Sequence, residues 1–135
     1  MNKQIVIIGG GPAGMMAAIS ASKESNDVIL VEKNHTLGKK FLLSGGGRGN
    51  ITNSEDINLF PNHYFNGGDF LRDAFKCFPN KDLIKFFEDK GINCETEEDG
   101  RVFPNTGNSE KFLDVLRKEL KEKNVKILYN HSLKK

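Results

Sequence analysis

An α/β fold that opens on a parallel βαβ unit is what this sequence predicts, and three observations predict it. Ile5-Val6-Ile7-Ile8 is a β-branched run without polar alternation, the pattern of a strand covered on both faces of a parallel sheet. It runs directly into Gly9-Gly10-Gly11-Pro12-Ala13-Gly14, which opens a stretch rich in Ala and Met over Met15–Lys23 that reads as a helix. A second apolar run, Val28–Val31, stops at Glu32. Strand, glycine turn, helix and strand within about 30 residues make a βαβ unit, whose crossover is right-handed in nearly all known cases.

A second glycine-rich stretch follows, Gly38-Lys39-Lys40 and then Ser44 to Asn50, and after it the texture changes. Phe70–Cys77 and Asp82–Lys90 carry apolar residues at helical spacing, with Asn80 as an N-cap and Gly91 as a C-terminal stop. Cys94–Pro104 reads as a hairpin turning at Glu98-Asp99-Gly100, an Asp-Gly turn signal. Ser109–Lys123 is an amphipathic helix, and Val125–Tyr129 a last strand. Residues 1–53 are thus read as the βαβ unit with its loop, and 54–135 as a helical and hairpin continuation.

Composition sets the outer bounds. The 135 residues suffice for one core, not for two comfortable ones. The chain is 37% hydrophobic and 28% charged with a net charge of +2 and a mean hydropathy of −0.48. No bulk electrostatic case exists for nucleic acid or an anionic membrane as partner. Nine of the 14 glycines fall within Gly9–Gly49, so they are a local device. Cys77 and Cys94 match neither a C-x-x-C pair nor zinc-ligand spacing; no metal site is expected, and they read as reduced thiols. No apolar run approaches the roughly 20 residues of a membrane span. The four apolar residues after Gln4 are too short for a signal-peptide core, which makes a cytoplasmic location the expectation.

Gly9-x-Gly11-x-x-Gly14 is a weak signal alone, but here it follows a buried-type strand, opens a helix and precedes an acidic strand end. Each part has a physical role in holding a dinucleotide. Gly9 makes the tight turn; a Cβ at Gly11 would block the diphosphate from the backbone, and one at Gly14 would hold the helix off the sheet. Pro12 suits the first helical turn, where its missing N–H has no partner to lose. The helix start offers unpaired N–H groups and partial positive charge to the diphosphate. Glu32, 18 residues beyond Gly14, is placed to accept both ribose hydroxyls rather than to stand as a solvated loop glutamate, and it disfavours a 2′-phosphate. No P-loop pattern is present, and the single Gly47-Arg48-Gly49 is a poor RNA-binding segment. No residue reads as an acid, base or nucleophile. His35, His63 and His131 read as solvated; Phe60, Tyr64, Phe65 and Phe70 as packing residues; Glu95, Glu97, Glu98 and Asp99 as the exposed face of the hairpin.

Lys39–Asn53 reads KKFLLSGGGRGNITN. With GGGPAG, VEKN at Val31–Asn34 and EDGRVFP at Glu98–Pro104, the chain closely resembles the bacterial NAD(P)/FAD-dependent oxidoreductases of the aminoacetone oxidase family. The resemblance implies a Rossmann-like α/β fold of glutathione-reductase type, whose N-terminal βαβ unit binds the ADP half of FAD. It implies that Gly9, Gly11, Pro12, Ala13 and Gly14 hold the diphosphate and that Glu32 and Lys33 sit at the adenosine ribose. Lys39, Lys40, Ser44, Gly45, Gly46, Arg48 and Asn50 would line the rest of the cofactor, as glycine N–H groups and a guanidinium fork can. The implied activity is hydride transfer between NAD(P)H or a small-molecule substrate and the flavin, chemistry that belongs to the cofactor.

Two departures qualify that expectation. Gly49 stands where the family usually has cysteine, which removes any thiol role and is expected to leave the backbone looser. The resemblance also covers only the N-terminal third of a family protein, so an incomplete domain is expected, with little turnover by the isolated chain and self-association through unpaired strand edges. A nicotinamide-binding dehydrogenase domain, or an inert fragment acting at most as a binding module, are the competing readings. FAD uptake separates them.

Overall fold

In the computed structural model, which describes residues 3–24 and 27–134, the first glycine turn sits at the end of a short parallel sheet. Strand β1 (Gln4–Ile8) runs into helix α1 (Pro12–Ala21), which returns to β2 (Asp27–Val31). The stretch Phe41–Gly47 makes a 3₁₀ turn that breaks at Ser44, where the chain is extended, and at Gly45 and Gly46, which are left-handed, and leads to β3 (Thr52–Asn53). Two more 3₁₀ turns, Ile57–His63 and Asp69–Leu71, precede α2 (Arg72–Cys77) and α3 (Asn80–Glu88). The hairpin strands β4 (Cys94–Thr96) and β5 (Arg101–Pro104), helix α4 (Ser109–Glu122) and β6 (Lys126–Leu128) complete the order.

The chain makes two three-stranded sheets. β1, β2 and β6 are parallel in that order, paired from Gln4↔Asp27 to Ile8↔Val31 and from Ile29↔Lys126 to Val31↔Leu128. The second sheet is antiparallel, β3-β5-β4. The expected hairpin is there, with Gly100 N donating to Glu97 O across the turn. β3 was not foreseen: the end of the second glycine stretch adds a strand to that hairpin and thereby ties the two halves of the chain together.

One core lies between the parallel sheet and the helices. Val28 and Leu30 of β2 meet Met15, Ala18 and Ile19 of α1 and Phe112, Leu113, Leu116 and Leu120 of α4, all buried. Phe112 is sandwiched between Phe41 and Phe87, at ring-centroid distances of 4.6 and 3.8 Å, which draws α3 into the same core. At about 25 cal/mol per Å2 of apolar surface, each of these large side chains contributes roughly 1.5–3 kcal/mol on burial.

Burial corrects the expectation for Ile5–Ile8. Strand residues alternate between faces, and only the face of Ile5 and Ile7 meets the helices; Val6 and Ile8 are each 52% exposed. The core helices α1 and α4 pack on the face of Ile5 and Ile7, while on the other face Val6 and Ile8 are half-exposed and Ile29 and Val31 only partly buried. Phe65 and Phe70 are also corrected: they are almost fully exposed, whereas Phe60 and Tyr64 pack on Phe75. Asn80 is the first helical residue rather than the N-cap; its buried side chain donates to the carbonyls of Asn53 and Glu55. Gly91 ends α3 with φ +83°, as a C-terminal stop requires. Among the described residues no helix is long and apolar enough to cross a membrane.

Candidate dinucleotide-binding site

The glycine turn is fixed by hydrogen bonds to the ends of the neighbouring strands. Gly9, at φ +102°, donates its N–H to Val31 O at 2.8 Å. Gly10 N donates to Glu32 Oε2 at 2.7 Å, and Gly38 N to Gly10 O at 2.8 Å. A Cβ on Gly10 would run into Leu37, and one on Gly14 would collide with the Gly9 carbonyl oxygen, so helix and turn meet there at backbone distance. Gly11 differs. Its backbone is ordinary extended (φ −75°), and a Cβ there would meet no protein atom within 4 Å. Nothing in the protein's own packing calls for glycine at that position.

Gly11 instead faces a cavity of about 710 Å3 at the carboxyl ends of β1 and β2, the usual ligand position in open α/β sheets. Gly9, Gly11, Pro12, Glu32, Lys33, Lys39 and Lys40 all line it, which brings seven of the residues singled out in the sequence to one place. Helix α1 points its start at this cavity with no side-chain cap and no acidic residue in its first turn. Its terminal N–H groups and positive dipole end are therefore uncompensated within the helix. Three lysines against one carboxylate give the cavity a net positive lining.

Glu32 is 6% exposed and fully engaged on one oxygen. Its Oε1 accepts from Asn34 N at 2.7 Å and Asn34 Nδ2 at 2.6 Å, while Oε2 accepts from Gly10 N. Burial pushes the carboxyl pKa up, but these donors and the Lys33 charge outweigh it and hold Glu32 below the ordinary value, hence ionised. The backbone around it is held too, with Glu32 N donating to Leu128 O and His131 N to Glu32 O.

The second glycine stretch lies elsewhere. Ser44, Gly45, Gly46, Arg48 and Asn50 do not line the cavity. Ser44 Oγ donates to Phe41 O, and Asn50 Nδ2 to the carbonyls of Thr52 and Val102. Arg48 pairs with Glu97 at 2.6 Å and lies over the Phe103 ring, 4.1 Å from its centroid. Gly45, at φ +56°, would press a Cβ to 2.6 Å from that ring, while Gly46 is exposed with open space around it. Gly49, expected to loosen the backbone, does the reverse: it is buried, and a Cβ would sit 2.8 Å from Phe41 and 3.0 Å from Ser109. Ala13 lies exposed on the first turn of α1, and Gly14 stands behind the turn against Gly9. Sequence reasoning missed Asn34, Phe41, His131, Ser132 and Leu133, which also line the cavity. Asn34 was legible as part of VEKN; the last three reach the cavity only because β6 pairs with β2.

A parallel sheet, a glycine turn opening a helix, and a buried carboxylate at the end of the second strand define a Rossmann-type fold of the nucleotide-binding class. The family model described as "HI0933-like protein Rossmann domain" matches residues 3–135, and the chain belongs to that family. It is 34% identical over 130 residues to the 3-dehydro-bile acid delta(4,6)-reductase of Clostridium scindens, covering 94% of this chain and 31% of that protein. It is 32% identical over 124 residues to the ribosomal RNA dihydrouridine synthase of Haemophilus influenzae, covering 91% and 30%. The chain thus spans about a third of the length of the curated relatives it matches. In fold it is similar to THI4 of Thermovibrio ammonificans, with a TM-score of 0.57 at 12% identity over 95% of this chain and 37% of that one. The family is one of Rossmann nucleotide-binding proteins, and its named relatives include a reductase.

Proposed function

We propose that this chain binds FAD and forms the cofactor-binding portion of a flavin-dependent oxidoreductase. The observation that carries the reading is Gly11: a glycine without a packing reason, facing a cavity with an ionised carboxylate on its wall and three lysines around it. The residues fit an ADP moiety. Gly9, Gly11, Pro12 and Ala13, with the N–H groups at the start of α1, would hold the diphosphate, and Gly14 lets the helix come close enough to do so. Glu32 would accept from the ribose and Lys33, Lys39 and Lys40 would balance the phosphate charge. Ser44, Gly45, Gly46, Arg48 and Asn50, which lie outside this cavity, would serve the remainder of the cofactor. When bound, the flavin supplies the hydride chemistry, exchanged with NAD(P)H or a small-molecule substrate that the rest of a longer protein would help to hold. The named substrates of the relatives differ too widely to transfer to this chain.

A second reading, NAD in place of FAD, has one observation in its favour: the cavity includes no residue of Ser44–Asn50, and its lining suits the ADP half that both cofactors share. Titration separates the two. Added FAD is expected to be retained with its visible absorbance and quenched fluorescence, and Glu32→Ala to weaken it at least about tenfold, since a hydrogen bond to a charged group is worth roughly 1.5–3 kcal/mol. NAD binding without FAD uptake would establish the dehydrogenase reading instead.

A further inference from the structure

Counting the acceptor sites on Glu32 exposes a shortfall at the ribose. An ionised carboxylate offers about four lone-pair sites, two on each oxygen. Asn34 N and Nδ2 occupy both on Oε1, and Gly10 N occupies one on Oε2. A single site remains, on Oε2, whereas a ribose diol brings two hydroxyl donors. The missing acceptor is next to it. Asn34 lines the same cavity, and because its Nδ2 must face the carboxylate to donate, the amide orientation is fixed and Oδ1 is turned away from Glu32. That Oδ1 has no partner among the described residues. The Asn34 backbone is pinned from the opposite side as well: its carbonyl accepts from Asn130 N at 3.1 Å, in the turn after β6 where Asn130 takes φ +57°.

We propose that Asn34 is a binding and positioning residue of the nucleotide ribose: its two donors fix Glu32, and its Oδ1 accepts the hydroxyl that Glu32 cannot. The ribose diol is then divided between Glu32 Oε2 and Asn34 Oδ1. The ligand class is any nucleotide with a free adenosine ribose diol. The inference rests on the dinucleotide reading of the cavity but not on the choice of FAD over NAD.

ADP is therefore the probe, with 2′-deoxy-ADP and 3′-deoxy-ADP beside it, titrated calorimetrically into the 135-residue chain. Asn34→Ala is expected to weaken ADP about three- to tenfold. The loss should shrink toward nothing with whichever deoxy analogue lacks the hydroxyl that Oδ1 accepts, as a double-mutant cycle requires of a direct contact. Asn34→Asp, equal in shape but without the side-chain donor, places a second carboxylate against Glu32 and should lose more than tenfold at neutral pH. Carbon-13 NMR of the Glu32 carboxyl in the nucleotide-free chain gives an independent readout of positioning. In Asn34→Ala it should titrate at higher pH than in wild type, with Lys33, Lys39, Lys40 and His131, which share the cavity, unchanged between the two. An Asn34→Ala loss that is equal for ADP and both deoxy analogues overturns the Oδ1 contact. An unmoved Glu32 titration overturns the positioning role. If ADP does not bind the wild-type chain, the ribose role falls with the cavity reading; if ADP binds in this pattern and FAD does not, only the flavin reading falls.

Discussion

Two glycine-rich segments, Gly9–Gly14 and Ser44–Asn50, look alike in sequence and owe their glycines to different causes. In the second, the protein's own side chains crowd the backbone: Phe103 against Gly45, Phe41 and Ser109 against Gly49, with left-handed φ at both. Arg48 and Asn50 then lace the segment to the hairpin. The first segment mixes two demands. Gly14 is required by contact within the protein, whereas Gly11 borders a cavity and has no such contact. Where packing explains a glycine, its removal should cost stability. A glycine that packing leaves unexplained should cost binding when removed.

The largest effect that can break this contrast is expected at Gly14. Gly14→Ala forces a methyl against the Gly9 carbonyl and should destabilise by about 3 kcal/mol or more. Gly45→Ala adds a left-handed penalty of roughly 1–2 kcal/mol to the contact with Phe103, for about 2–3 kcal/mol in total, read by urea unfolding. If Gly45→Ala is neutral, the second segment is not held as described.

An intermediate effect concerns pH. The folded pKa of Glu32 is lowered, so its contribution to stability is complete above the unfolded-state value of roughly 4.3 and is lost as pH falls through the lower folded value. Wild type should therefore lose its advantage over Glu32→Gln across that acid window and keep it at neutral pH. An advantage independent of pH would mean the Gly10 and Asn34 donors do not favour the ionised form. The smallest effect is at Arg48. Its pair with Glu97 is half-exposed, so Arg48→Ala should cost about 1 kcal/mol from ion pair and ring contact together. Under the FAD reading it should weaken FAD more than ADP, which sharpens the division of labour between the segments.

Local signals carried much of this architecture. The β-branched run, the glycine spacing and Glu32 at the end of β2 placed the first turn and its carboxylate, because each is fixed by neighbours within a few dozen residues. The hairpin and α4 were legible for the same reason. Hidden were features set by long-range pairing. β6 docks on β2 and carries His131 to the Glu32 carbonyl, β3 joins β5, and Arg48 finds Glu97 across 49 residues. Ile5–Ile8 misled in the opposite sense, since a run apolar on both faces records what a sheet can bury, while Val6 and Ile8, on the face away from α1 and α4, stay half-exposed.

The central claim, that Gly11 serves a nucleotide while Gly10 and Gly14 serve packing, is tested most directly by Gly11→Ala. Its unfolding free energy should stay within about 1 kcal/mol of wild type, because the new methyl meets nothing in the protein and only the preference for glycine over alanine at the N-cap of α1 is lost. In calorimetric titrations its affinity for ADP and FAD should fall at least about tenfold, a change of roughly 1.4 kcal/mol, because under the proposed reading that methyl would stand in the path of the diphosphate. Wild-type affinity in a stable Gly11→Ala chain would contradict the account.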